Sequence, residues 1–143
     1  MRNATIRPAL THRLVAVVAT ALVVGAASTG AALAASQYTV KVSVPTYPSG
    51  STFTVKATGT SANPSQVVAY IGDKSCASTP KLEAAQPARR VINKGVNHNY
   101  TASKTAKVGS GGTHRVCAYL TSTNGSTTRA HSSASYTALA GAY

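Results

Sequence analysis

Between Tyr38 and Leu139 the chain shows repeated segments with a hydropathy period of two, and this constrains its fold more than any other feature. Tyr38, Val40, Val42 and Val44 alternate with Thr39, Lys41 and Ser43. Phe53, Val55 and Ala57 alternate with Thr52, Thr54, Lys56 and Thr58. Successive side chains of a strand point to opposite faces, so each segment has one apolar and one polar face. Residues 66–71 are more continuously apolar, as in a central strand. Alternation resumes over 96–108, 113–120 and 127–139, where Tyr100 and Ala102, then Val116, Ala118 and Leu120, then Ala134 and Tyr136 share faces. Asn63-Pro64-Ser65 and the Gly109–Gly112 stretch are turn signals, and Asn124-Gly125 is a hairpin signal.

The period is lost between Gly72 and Gly95. This stretch reads as a long connection with a turn or two of helix over 81–86, ended by Pro87, and a short strand at 90–92. About seven strands result. Antiparallel strands with one apolar face each must bury it against another sheet, so the expected fold class is all-β, a two-sheet Greek-key β-sandwich.

The first 34 residues read differently. Arg2, Arg7 and Arg13 flank and precede the uncharged run Leu14–Val24, and Ala32-Leu33-Ala34 supplies an A-x-A cleavage site. This is the pattern of a secretory signal peptide over 1–34, leaving a mature domain over 35–143. A retained anchor is the alternative, since Leu14–Ala35 is 22 residues without a charge. Its second half is only weakly apolar, however, and no basic stop-transfer cluster follows it. The expectation is a secreted protein, possible association with the cell envelope included, with no stable membrane span after cleavage.

Cys76 and Cys117 are the only cysteines. An even number in an exported chain reads as a disulfide, with two separate buried thiols as the alternative. The bond would close a loop of 42 residues, worth about 3–4 kcal/mol in chain entropy.

Several of these segments resemble a known family. Phe53-Thr54-Val55-Lys56-Ala57-Thr58-Gly59-Thr60 is similar to the second strand of bacterial immunoglobulin-like domains. Cys76-Ala77-Ser78-Thr79-Pro80 and Cys117-Ala118-Tyr119-Leu120 resemble the paired-cysteine segments of small secreted immunoglobulin-like proteins of actinobacterial type. The resemblance spans most of 38–139 and implies an immunoglobulin-like sandwich in an extracellular setting. It brings no catalytic residues with it. Cys76 follows the third expected strand, so the bond would tie a loop to a strand and is not the inter-sheet bridge of antibody domains.

Chemistry is limited by supply. Asp73 and Glu83 are the only acids, and nothing pairs them for glycoside hydrolysis. No Gly-x-Ser-x-Gly elbow presents a nucleophile. His98, His114 and His131 match no local metal spacing. The expectation is a non-enzymatic domain without metal or cofactor. Charge is the feature that remains. The chain carries +12 with a pI of about 10.3. Eleven of its fourteen Lys and Arg lie beyond Ala34 with both acids, a balance of +9. Lys81, Arg89, Arg90 and Lys94 form the candidate basic patch. Such a charge either keeps a surface solvated or attracts anionic polymers: teichoic acids, lipid headgroups, extracellular DNA, acidic glycans. Specific nucleic-acid recognition is not expected, because most tyrosines occupy strand positions better suited to a core. Two readings follow: a binding or surface-associated module for an extracellular protein or anionic envelope polymer, or a cationic effector or enzyme inhibitor. A rigid, protruding loop over 72–95 would favour the inhibitor.

Overall fold

The computed structural model describes residues 37–141, so the expected signal segment and its cleavage site lie outside the described residues. Five strands carry the period-two pattern: β1 (Tyr38–Ser43), β2 (Thr52–Gly72), β3 (Arg89–Lys107), β4 (Gly112–Ser122) and β5 (Thr128–Ala138). One short helix, α1 (Pro80–Ala84), lies between β2 and β3. The all-β expectation holds. The expected seven strands in two sheets are instead five strands in one antiparallel sheet.

The difference arises at a corner. Asn63-Pro64-Ser65 is not a turn between two strands but a bulge inside β2. Ala62, Asn63 and Pro64 fall between the ladder pairs Ser61↔His98 and Ser65↔Val96, facing Asn97 alone. Proline has no N–H to give a ladder, and here none is required of it. Opposite the bulge His98 adopts φ 51°, which turns β3 through the same corner. The segments expected over 90–92 and 96–108 are likewise one strand, so the connection expected over 72–95 is confined to 73–88.

β2 is the spine. Its first half pairs with β1 on one edge, its second half with β4 on that same side, and β3 runs along the other edge throughout. β5 pairs with β4. Bent at the corner, the sheet curls until β1 lies beside β5. Val42 N donates to Ser132 Oγ at 3.1 Å, and Thr137 N donates to the Thr46 carbonyl at 2.8 Å. The apolar faces meet inside: Phe53 of β2 and Tyr136 of β5 have ring centroids 4.5 Å apart, within a core of Val42, Val55, Val67, Val116 and Leu120. Burying that face is the main favourable term for a domain of this size.

Polar groups hold the corner. Ser61 and Ser65 are buried, and both hydroxyls donate to the Asn63 carbonyl, at 2.6 and 2.9 Å. Arg129 is the extra residue of β5 between the pairs Leu120↔Ala130 and Thr121↔Thr128, and this bulge turns its side chain across to β2. Its Nη1 donates to the Pro64 carbonyl at 3.1 Å and to Ser65 Oγ. Its guanidinium carbon lies 4.7 Å from the centre of the Tyr38 ring. The hairpin expected at Asn124-Gly125 is present, with Gly125 at φ 72° and its N–H donating to the Ser122 carbonyl at 2.8 Å.

One glycine is required by close approach. Tyr100 sits opposite Gly59 and reaches over it to donate to the Thr39 carbonyl of β1 at 2.7 Å. A Cβ at Gly59 would lie 2.0 Å from that carbonyl oxygen and 2.8 Å from the Tyr100 hydroxyl. Overpacking of this kind costs about 1–3 kcal/mol, and the clash with backbone puts Gly59→Ala at the upper end. Urea denaturation should show a loss of about 3 kcal/mol with the m-value unchanged. A loss under about 0.5 kcal/mol would contradict this packing.

Candidate basic binding surface

Both acids are engaged by neighbouring side chains, Glu83 in the interior and Asp73 at the surface. Glu83, on α1, is 1% exposed. Thr79 caps this helix, its Oγ1 accepting from Leu82 N at 3.3 Å, and Pro80 occupies the first turn where no N–H is needed. The cap aims Glu83 down at the sheet. There its Oε2 accepts from the Tyr119 hydroxyl at 2.9 Å and from Ala77 N at 2.7 Å. The Tyr119 hydroxyl also lies 2.7 Å from the Ala77 carbonyl. Two residues back along β4, Cys117 is bonded to Cys76 of the loop, as expected. The residues 73–88 are thus fastened flat over an apolar cluster of Val68, Tyr70, Cys117 and Tyr119 on the outer face of the sheet.

Asp73 is the second acid. His114 Nδ1 lies 2.6 Å from Asp73 Oδ1, and His114 Nε2 lies 2.6 Å from the Ser110 carbonyl oxygen. The imidazole stacks on Tyr136 with ring centroids 5.0 Å apart. A His–Asp pair at this distance has the geometry of two members of a hydrolytic triad. The third position holds a backbone carbonyl, which only accepts, so Nε2 faces no hydroxyl to activate. These groups line a shallow cleft of about 380 Å³ with Arg89 at its rim. Among the described residues no group of three or more His, Cys, Asp or Glu is placed to hold a metal.

Among the described residues no Lys or Arg has an acidic partner; the ion pair there is Asp73–His114. The residues of the expected patch are distributed between elements. Lys81 is exposed on α1, while Arg89, Arg90 and Lys94 lie on β3. Arg90 is in register with Tyr70 and shares the covered outer side. Arg89 and Lys94 are in register with Ile71 and Val67, on the core side of an edge strand, yet both are exposed. Arg89 Nη2 donates to the Lys107 carbonyl at 3.2 Å, which shows how far β3 bends: its two ends meet. Lys104, in register with Val55, joins Lys94 as a second exposed lysine on the core side of that edge. Lys41, Lys56 and Lys107 lie on the opposite, outward side of the sheet's first half. The sequence patch omits Lys104 and Lys107, because only the bend of β3 returns them to Arg89. Their place in the period-two pattern was the available signal.

Burial raises two tyrosines. Tyr100 is pushed up to about 12, and Tyr119 is raised further by burial and then by the Glu83 carboxylate. In the unfolded chain both ionise near pH 10. A group with a raised folded value contributes fully below its unfolded value and loses that contribution as pH climbs. Stability should be level up to about pH 9 and fall from about pH 10 through 12, and Tyr100→Phe should flatten part of this fall; absorbance of tyrosinate with circular dichroism checks both. Reducing the disulfide, or Cys76→Ser with Cys117→Ser, should lower stability by about 3–4 kcal/mol in urea. Retention of full stability would mean that the loop is held by Glu83 and Tyr119 alone.

Searched against models of known protein families, the sequence matches none, and no curated protein matches it.

Proposed function

We propose that this chain is an exported, non-catalytic β-domain that associates by charge with an anionic polymer of the cell envelope. One observation carries the reading: Glu83 is buried against Tyr119 and Asp73, though exposed, is paired with His114, so among the described residues none of the eleven Lys and Arg has a carboxylate partner. A surface that needed only solubility would do well with mixed signs. A single-sign field draws polyanions and raises their rate of encounter. We further read the domain as a bent-strand relative of small secreted immunoglobulin-like modules. The bends in β2 and β3 yield two layers from one sheet, and the pair Cys76–Cys117 gives a single staple.

The inhibitor reading has less to stand on. Residues 73–88 lie against the sheet through Cys76, Ala77 and Glu83 and do not project as a rigid loop.

The test uses the purified secreted protein and isolated cell walls. Retention should be strong at about 50 mM salt, fall at least about tenfold by 300 mM, and vanish once anionic polymers are stripped from the walls. Binding that survives both treatments would mean a neutral ligand and would overturn the proposal.

A further inference from the structure

The domain treats its two outer faces differently. Over β4 and the second half of β2 the stapled loop covers Tyr70 and Tyr119. Over β1, the first half of β2 and the second half of β3, the outward side chains are exposed or half-exposed. We propose that this bare face is the docking surface for a linear polymer that carries both phosphate charges and free hydroxyls, of polyol-phosphate type. The inference rests on the function proposed above and gives it a place and a ligand chemistry.

The register sets the face out in rows. Lys41–Thr58–Thr101 and Ser43–Lys56–Ser103 run across three strands. Thr54–Thr105 and Thr52–Lys107 continue them across two. No acidic, apolar or aromatic side chain interrupts these rows. Lys41 and Lys56 are diagonal neighbours, about 7–8 Å apart. They provide adjacent positive charges for successive phosphates of one chain. Threonine is stiff at χ1, so its hydroxyls are held by the backbone lattice before any ligand arrives. Thr39 and Thr60 show this order, with hydroxyls 2.9 Å apart across β1 and β2.

Each row chemistry selects against other partners. A hydroxyl both donates and accepts, which suits the hydroxyls of a polyol. An ammonium is a charge-assisted donor to phosphate. Nucleobases bind through stacking on aromatic rings, and these rows have none, so single-stranded DNA would be held here through its phosphates alone. A second copy of the domain would oppose lysine to lysine with no apolar area to bury. The two carboxylates that would repel a polyanion are on the other half of the molecule, one beneath α1 and one on His114.

The experiment measures affinity of the secreted protein for poly(glycerol phosphate), inorganic polyphosphate and single-stranded DNA at low salt. Three double variants are compared, each first shown by circular dichroism and thermal melting to be folded. Lys41→Ser with Lys56→Ser removes face charge, and Lys74→Ser with Lys81→Ser removes equal charge elsewhere. Thr58→Val with Thr101→Val removes hydroxyls while keeping strand-forming shape. The face pair should weaken poly(glycerol phosphate) binding about 30-fold, since each lysine near an anionic surface contributes about fivefold. The control pair should weaken it threefold or less. The threonine pair should weaken poly(glycerol phosphate) but leave polyphosphate unchanged. Equal losses from both lysine pairs would overturn the face while leaving charge-driven association intact. DNA bound as tightly as poly(glycerol phosphate), or a threonine pair without effect, would overturn the ligand chemistry. A wild-type protein that binds no polyanion at low salt would overturn the function itself.

Discussion

A sheet with one apolar face has to cover that face, and a chain with a single Phe and no Trp has little bulk with which to do so. The solution here is curvature. β2 and β3 bend together until Phe53 reaches Tyr136, and the sheet becomes its own second layer. Bending interrupts ladder bonds, and buried backbone groups left unpaired are costly. The corner therefore gathers what can compensate: a proline with no donor to lose, a left-handed His98, two buried serines and the Arg129 clamp from β5. Residues that look like ordinary loop formers in isolation are the working parts of this corner.

The same economy of large side chains explains the stapled loop. The second half of β2 and β4 place Val68, Tyr70 and Tyr119 on the outside, where water would meet them. Residues 73–88 shield them, held by Cys76 at one point and by Glu83 at another. A buried carboxylate is tolerated only with its hydrogen bonds in place, and Tyr119 and Ala77 supply them. In taking this role Glu83 leaves Asp73 as the one exposed acid among the described residues, against eleven cations. Stability of the lid and the electrostatic character of the exterior are thus linked through one side chain.

Local rules made much of this legible. Parity along β1, β4, the first arm of β2 and the Tyr100–Ala102 stretch of β3 read correctly, as did the Asn124-Gly125 hairpin and the cysteine pairing. The failures lie where a distant residue decides. Asn63-Pro64 has the composition of a turn, and it is Ser65, Arg129 and the facing His98 that make it a bulge. Arg89 looks like a loop residue and 90–92 like an isolated short strand because the alternation breaks at Val91, the extra residue of β3 between the pairs Ala69↔Ile92 and Tyr70↔Arg90. The Asp73–His114 contact joins residues 41 positions apart, beyond the reach of any local pattern.

The outer edge of β3 has a further consequence. It is the sheet's long unpaired margin, since β1 and β5 lie beside each other. Such margins recruit strands from other molecules, most of all where molecules are crowded. Lys94 and Lys104 stand on the core side of this one, and the bulges at Val91 and the corner break its regularity. A protein that collects on a polymer raises its own local concentration steeply. On the proposed function, the edge lysines would let copies gather side by side on a common strand of charge without zipping into fibres, so that dense coverage would stay reversible.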